Sequence, residues 1–388
     1  MNKKIDYNHS GRQFGSSRTR LGLIAAVALM LTAIMATTLD AYVRTGGSGR
    51  ETIFGPIEDF GSIVVNGVHY DESTANIVVD GVPGLTRASL KRGMIVQIDG
   101  VRDYTVNTSV ANVVRTDHVL YGQVEDVNTA KAEVIILQQH VSVTTTTRFD
   151  GASGLGELAP GVWVAVHGLG DPGRKAVVAT LIEVVSAPIE TTSSIRGTVQ
   201  KVKAGWIRIG KLDMLVFDSK AEDGDFVSAK GDYLGGVFVS NALVVTREVE
   251  THENVDTELQ GYVADFRGID AFTIAGVTID ATNANFSGGR ASNLKQNVRV
   301  TVEGPIRNGI LIAEGVEFSA APTSVEIEGV ITTFTSLADF TAKGRRIDAS
   351  NIAVRASKVP SVGWKAHVKG DVAADGSVKA TKAEFEPN

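Results

Sequence analysis

From residue 51 onward, apolar and polar positions alternate in short runs. In GMIVQIDG (93–100), Val96 and Ile98 point one way while Gln97 and Asp99 point the other. An apolar residue at every second position marks a half-buried strand, since an amphipathic helix would space its apolar residues three and four apart. The same cassette recurs as GVWVAVHG (161–168), GDFVSAKG (224–231), NVRVTVEG (297–304) and GWKAHVKG (363–370). Its apolar face carries Val164 and Val166, Val227 and Ala229, Val300 and Val302, and Ala366 and Val368 in turn.

Two further elements keep register with the cassette. Each copy opens on Gly, any residue, then Val or Ile: Gly55/Ile57, Gly122/Val124, Gly197/Val199, Gly261/Val263 and Gly329/Ile331. Each closes on an Ala-containing apolar strand, at Ala111–Val114, Ala179–Ile182, Ala242–Val245, Ala313–Val316 and Ala380–Phe385. Between opening and cassette lies a hairpin-like stretch such as SIVVNGVHYD (62–71), where Asn66-Gly67 is a two-residue hairpin signal. A fixed repeat of this kind is one supersecondary unit used several times.

The repeats divide the chain into β modules at 51–119, 120–187, 193–248, 256–320 and 323–388. SAPIETTSS (186–194), THENVDT (251–257) and SAAPTS (319–324) read as linkers. The predicted fold class is all-β: five tandem, small, OB-like five-stranded barrels after an N-terminal transmembrane or signal helix. Short polar turns such as TRASLKR (86–92) and ASNLKQ (291–296) supply the insertion between third and fourth strands that an OB-like barrel has. A continuous sandwich or β-solenoid is the alternative. Units this small gain stability from their neighbours, and a rod or curved array of modules is the expected assembly.

Ahead of the modules the pattern changes. Leu21 to Leu39 is an uncharged apolar run, long enough as a helix to span about 28 Å. Lys3, Lys4, Arg12, Arg18 and Arg20 precede it against Asp6 alone. The positive-inside rule makes 1–20 a cytoplasmic basic tail, 21–39 a signal anchor or cleaved signal peptide, and 40–50 a tether. The modules are then expected on the periplasmic or exterior side of an inner membrane, or free in the periplasm or medium after cleavage.

Module 1 carries a family resemblance. DFGSIVVNGVHYD (59–71), IVVDG (77–81) and LKRGMIVQIDG (90–100) resemble a bacterial domain-of-unknown-function family of exported tandem repeats, and DFRGIDAFTIAGVTID (265–280) is similar. Modules 2, 3 and 5 keep only the skeleton. The resemblance implies a β-barrel fold and an envelope location, and it brings no catalytic residues.

Composition narrows the chemistry. The net charge is −6 and no basic cluster lies outside the N-terminus, so nucleic acid is a poor partner. The absence of cysteine excludes disulfides, thiolate metal sites, cysteine nucleophiles and a lipoprotein anchor. Gly168–Gly173 (GLGDPG) matches a dinucleotide fingerprint in letters, but strand-like AVVATLIEV (176–184) follows where a helix N-terminus is needed. Asp218, Glu222, Asp223 and Asp225 form an acidic loop without calcium-loop spacing, and the seven histidines are scattered. No catalytic, cofactor-binding or metal-ligating residue is nominated, and no enzymatic activity or cofactor is expected.

One apolar set falls on the outward side of the alternation: Ile95, Trp163 and Phe226, at the second position after the cassette's first residue, where modules 4 and 5 have Arg299 and Lys365. These three are the candidate contact surface, for packing between modules or for a partner protein or glycan. The expected function is an extracytoplasmic binding or scaffolding protein of the bacterial envelope. The alternative is a cell-wall polysaccharide hydrolase using loop carboxylates.

Overall fold

The computed structural model describes residues 48–387 apart from 61, 104–107, 172, 174–175, 187–191, 218–219, 319–323, 344, 353–358 and 373–376. The segment 21–39 lies outside the described residues, and among those described no helix is long and apolar enough to cross a membrane. The described chain is all-β, with short 3-10 turns and no α-helix.

Module 3 shows the plan. Its strands are Ser193–Lys203, Trp206–Ile209, Leu212–Leu215, Phe226–Leu234 and Val237–Thr246. The first pairs with the second, the second with the third, the third in parallel with the fifth, the fifth with the fourth, and the fourth with the first. That ring is a closed five-stranded barrel of OB type. Module 2 closes in the same way through Leu120–Asn128, Glu133–Ile136, Gln139–Ser142, Trp163–Asp171 and Ala176–Val184. So does module 5, through Ser324–Ser336, Asp339–Ala342, Arg345–Asp348, Lys365–Val372 and Val378–Glu386.

Modules 1 and 4 make the same pairings with additions. Module 1 adds a hairpin, Asn76–Val79 with Val82–Leu85, whose first arm lies parallel to the fifth strand Thr108–Thr116. Module 4 breaks its first strand into Asp256–Tyr262 and Ala264–Gly268, and its fifth into Ile310–Ile312 and Gly315–Phe318. The expected turns before the cassette are 3-10 turns at Arg87–Ser89, Leu155–Glu157 and Ala291–Asn293. The first strand of module 1 starts at Ser48, inside the stretch read as a tether.

The cassette's two glycines have separate physical causes. The first sits at positive φ, between 88° and 92° at Gly93, Gly161, Gly224 and Gly363, and Asn297 at 67° is the residue type that tolerates this region best after glycine. The last lies where a bulge presses the fourth strand onto the fifth. A Cβ there would stand 2.4, 2.5, 2.2, 2.0 and 2.4 Å from the facing carbonyl oxygens of Val110, Val178, Val239, Ile312 and Lys379, for Gly100, Gly168, Gly231, Gly304 and Gly370 in turn. No side chain fits at that distance, so the spacing is fixed by backbone contact.

Two strand pairings run between modules. Glu51–Phe54 of module 1 pairs in parallel with Asp256–Leu259 of module 4. Leu120 and Tyr121 of module 2 pair antiparallel with Ile195 and Ser194 of module 3. Strand pairing thus joins the first module with the fourth and the second with the third. Core packing follows. The cores of modules 2 and 3 merge into one cluster, Phe54, Ile95 and Leu169 join the core of module 4, and Leu181 of module 2 enters that of module 1. The core cluster of module 5 holds only its own residues.

Candidate interaction surface

Both junctions use the same piece of the barrel. In every module the first half of the first strand pairs with the fourth strand on one side, and only the second half pairs with the second strand on the other. The first half therefore keeps one outer edge of N–H and C=O groups that the barrel itself does not satisfy. An unsatisfied edge of this kind is a template for another strand. In modules 1 to 4 it is filled by the equivalent edge of another module. The junction of modules 2 and 3 is nearly two-fold: Leu120 and Ile195, which face each other, both stand two residues before the first-strand glycine. The Arg196 amide donates across it to the Val119 carbonyl at 2.9 Å.

The sequence-nominated residues lie on the fourth strands, beside the first. The cassette's second position sits diagonally opposite the residue before the first-strand glycine, and the two side chains match by type. Ile95, 7% exposed, shares a cluster with Phe54 and with Leu259 of module 4. Trp163 is half-buried, with its ring centroid 5.2 Å from that of Tyr121. Phe226 is half-buried under the Arg196 guanidinium at 5.5 Å. Arg299 donates to the Gln260 amide oxygen at 2.6 Å. In module 5 the register sets Lys365 diagonal to Glu328. Diagonal neighbours within one sheet are close enough for long side chains to interact, which accounts for large apolar groups at positions the alternation turns outward.

The junction of modules 1 and 4 also buries charge. Glu51 accepts a hydrogen bond of 2.5 Å from the Tyr70 hydroxyl. The Arg102 guanidinium lies 3.6 Å from Glu51 and 3.3 Å from Glu258. Glu51 is 4% exposed and the Glu258 side chain 13%. Burial outweighs the guanidinium's pull at both carboxyls: it pushes Glu258 up to about 8, helped by Glu303 and Glu51, and raises Glu51 above the usual carboxylate range. Burial and the neighbouring carboxylate also raise Tyr70, so its proton stays on the phenol. Close by, the Gln97 side chain both donates to and accepts from the Glu250 backbone at 2.9 Å, tying module 1 to the segment before module 4.

Two raised carboxyls share a cation here, and the sequence reading missed the cluster. Its members lie on strands far apart in the chain. The available signal was a glutamate within four residues before the first-strand glycine, at Glu51 and at Glu258. A shallow hollow lies elsewhere, on the outer face of module 5 between His367, Lys369, Lys382 and Glu384.

The other sequence candidates fall apart spatially. Gly168–Asp171 is the end of a strand, and Gly173 lies in the turn before the next. In the acidic loop, Asp225 accepts from the Glu222 amide at 2.7 Å and so caps a turn, while Asp218 lies outside the described residues. Among the described residues no three His, Asp or Glu side chains converge as metal ligands. His118, His140 and His167 pair separately, with Asp80 at 2.8 Å, Glu133 at 2.9 Å and Glu183 at 3.4 Å.

The model of a family described as a domain of unknown function, DUF5666, matches residues 121–183 and 260–317. These are the bodies of modules 2 and 4. No curated protein matches the chain. A solved structure from Drosophila, Unr CSD456, is similar at 14% identity over 53% of this chain and 98% of that one, with a TM-score of 0.14.

Proposed function

We propose that this chain is a non-enzymatic scaffold of the bacterial cell envelope: five copies of one OB-like barrel, exported and held at the membrane by residues 21–39, that present binding surface to an envelope protein or glycan. The observation that carries the reading is the reuse of one strand edge. Four of the modules are joined through the outer edge of their first strands, in two different geometries. A module that binds its own kind through backbone edges is a connector, and repetition of connectors builds reach and avidity.

Several features support a non-catalytic role. The carboxyls of Glu51 and Glu258 share Arg102 within a packed seam, whereas carboxylates that hydrolyse a sugar must flank an accessible bond. The acidic charge argues against nucleic acid. Fractionation of cells with intact-mass analysis tests the location. The chain is expected in the membrane or periplasmic fraction, open to protease added from outside after the outer barrier is removed. Recovery in the cytoplasm would overturn the envelope reading, and release of soluble sugar from cell-wall polymer by the purified chain would overturn the non-enzymatic one.

A further inference from the structure

Five modules leave one edge over. Module 5 has the same first strand, paired inward at Ser324–Val330 with the fourth strand and at Ile331–Ser336 with the second. Among the described residues nothing pairs with the outer edge of Ser324–Val330. Glu328 and Val330 are exposed there. The amide equivalent to Glu328 in module 3 is that of Arg196, which donates across the junction to Val119. The Glu328 amide thus faces away from the barrel, free to bind an added strand.

We propose that this edge docks an extended segment of another polypeptide, added as a β-strand and carrying Lys or Arg at alternate positions. The inference rests on the scaffold reading above and names the partner's chemistry. Charge decides between occupants. The strand reads VEIEGV (325–330), with acids at alternate positions on either side of Ile327. Counted from the first-strand glycine, Glu326 is the counterpart of Glu258, and Glu258 is met by Arg102 from the module docked on its edge. Within module 5 the fourth strand sets Lys369 opposite Glu326 and His367 opposite Glu328, so a cationic strand on the other side continues a row of alternating sign.

A second copy of the same edge is the wrong occupant. Two-fold pairing like that of modules 2 and 3 would centre on Ile327 and set Glu326 of each copy against Glu328 of the other. Like charges directly opposite each other destabilise a strand pair. Acids on an exposed edge thus block self-association while selecting a cationic strand. Strand addition supplies affinity through main-chain hydrogen bonds, and the alternate side chains supply the choice of partner.

The test uses the full chain and a fluorescent peptide alternating Lys and Val, with a Glu-for-Lys version as its counterpart. Fluorescence anisotropy should show saturable binding of the Lys peptide, weakened by salt, and about tenfold or weaker binding of the Glu peptide. Glu328→Pro removes an outward N–H and leaves the inward ladder bonded, so binding should fall about tenfold or more. The double change Glu326→Lys/Glu328→Lys guards against a misfolded proline variant, and it should reverse the peptide preference. Equal binding of both peptides, no binding, or no reversal would overturn the proposal. Self-association of the full chain that Glu328→Pro abolishes would also overturn it in favour of a second copy. Failure here leaves the junction of modules 1 and 4 to be judged on its own measurement, so the two readings fail separately.

Discussion

Gly231 and Glu258 mark the two ways single residues govern this molecule. The cassette's last glycine is a contact residue: a Cβ at Gly304 would meet the Ile312 carbonyl at 2.0 Å, whereas one at Gly156 meets nothing within 4 Å. Gly304→Ala should therefore cost about 1–3 kcal/mol in urea unfolding, and Gly156→Ala should be close to neutral. Glu258 acts through its proton. Its carboxyl is raised in the folded chain to about 8 from an ordinary value near 4.5, so between those values the native state holds a proton that the unfolded state has lost. The sign follows: this contribution is fully present below about pH 4.5 and is lost as pH rises through about 8, with a slope up to about 1.4 kcal/mol per pH unit. Thermal unfolding across that window should show the decline, and Glu258→Gln should flatten it. A variant that keeps the wild-type slope would assign the effect elsewhere.

At the scale of the strand, the inward residues were readable and the edges were not. Alternation put Val96, Ile98, Val300 and Val302 inside, and all four are buried. The Asn66-Gly67 turn joins Ile63–Val65 to Val68–Asp71, with both turn residues at positive φ. What alternation cannot encode is which side of a strand is already hydrogen-bonded. Ile95 reads as outward from its own strand, yet the seam with module 4 buries it. Arg102, Glu51 and Glu258 each look like ordinary surface charges in sequence, and only the pairing of Glu51–Phe54 with Asp256–Leu259 makes them one cluster. Replacing Arg102 with Met leaves two buried carboxyls without their cation. Stability should fall by about 3–5 kcal/mol above about pH 8, where Glu258 is ionised, and by much less in acid, where both carboxyls hold protons. Equal losses at both pH values would mean that Arg102 acts by packing alone.

For the whole molecule, the repetition of small β modules was legible in the sequence, but the partners of each repeat were not, because chain order does not determine which open edges meet. The shared cores make a further distinction. Modules 2 and 3 have one hydrophobic cluster, and residues of modules 1 and 2 enter the cluster of module 4, while the cluster of module 5 is its own. Calorimetry of the full chain should resolve a large transition for modules 1 to 4 and a smaller one for module 5. Phe238→Ala, in the joint core of modules 2 and 3, should lower only the large one, by about 3–5 kcal/mol.

First-strand edges pair the first module with the fourth and the second with the third. The chain has no cysteine, so an introduced pair is free of competitors. Thr52 and Thr257 are register partners across the junction of modules 1 and 4, and both are 1% exposed. Facing strand residues at this spacing are within reach of a disulfide. The decisive measurement is intact-mass and peptide mapping of the oxidised Thr52→Cys/Thr257→Cys chain, beside a Thr52→Cys/Ser194→Cys control. An intramolecular 52–257 bond is expected in the monomer, with free thiols in the control. Free thiols in the first pair, or bonds only between separate chains, would contradict that pairing.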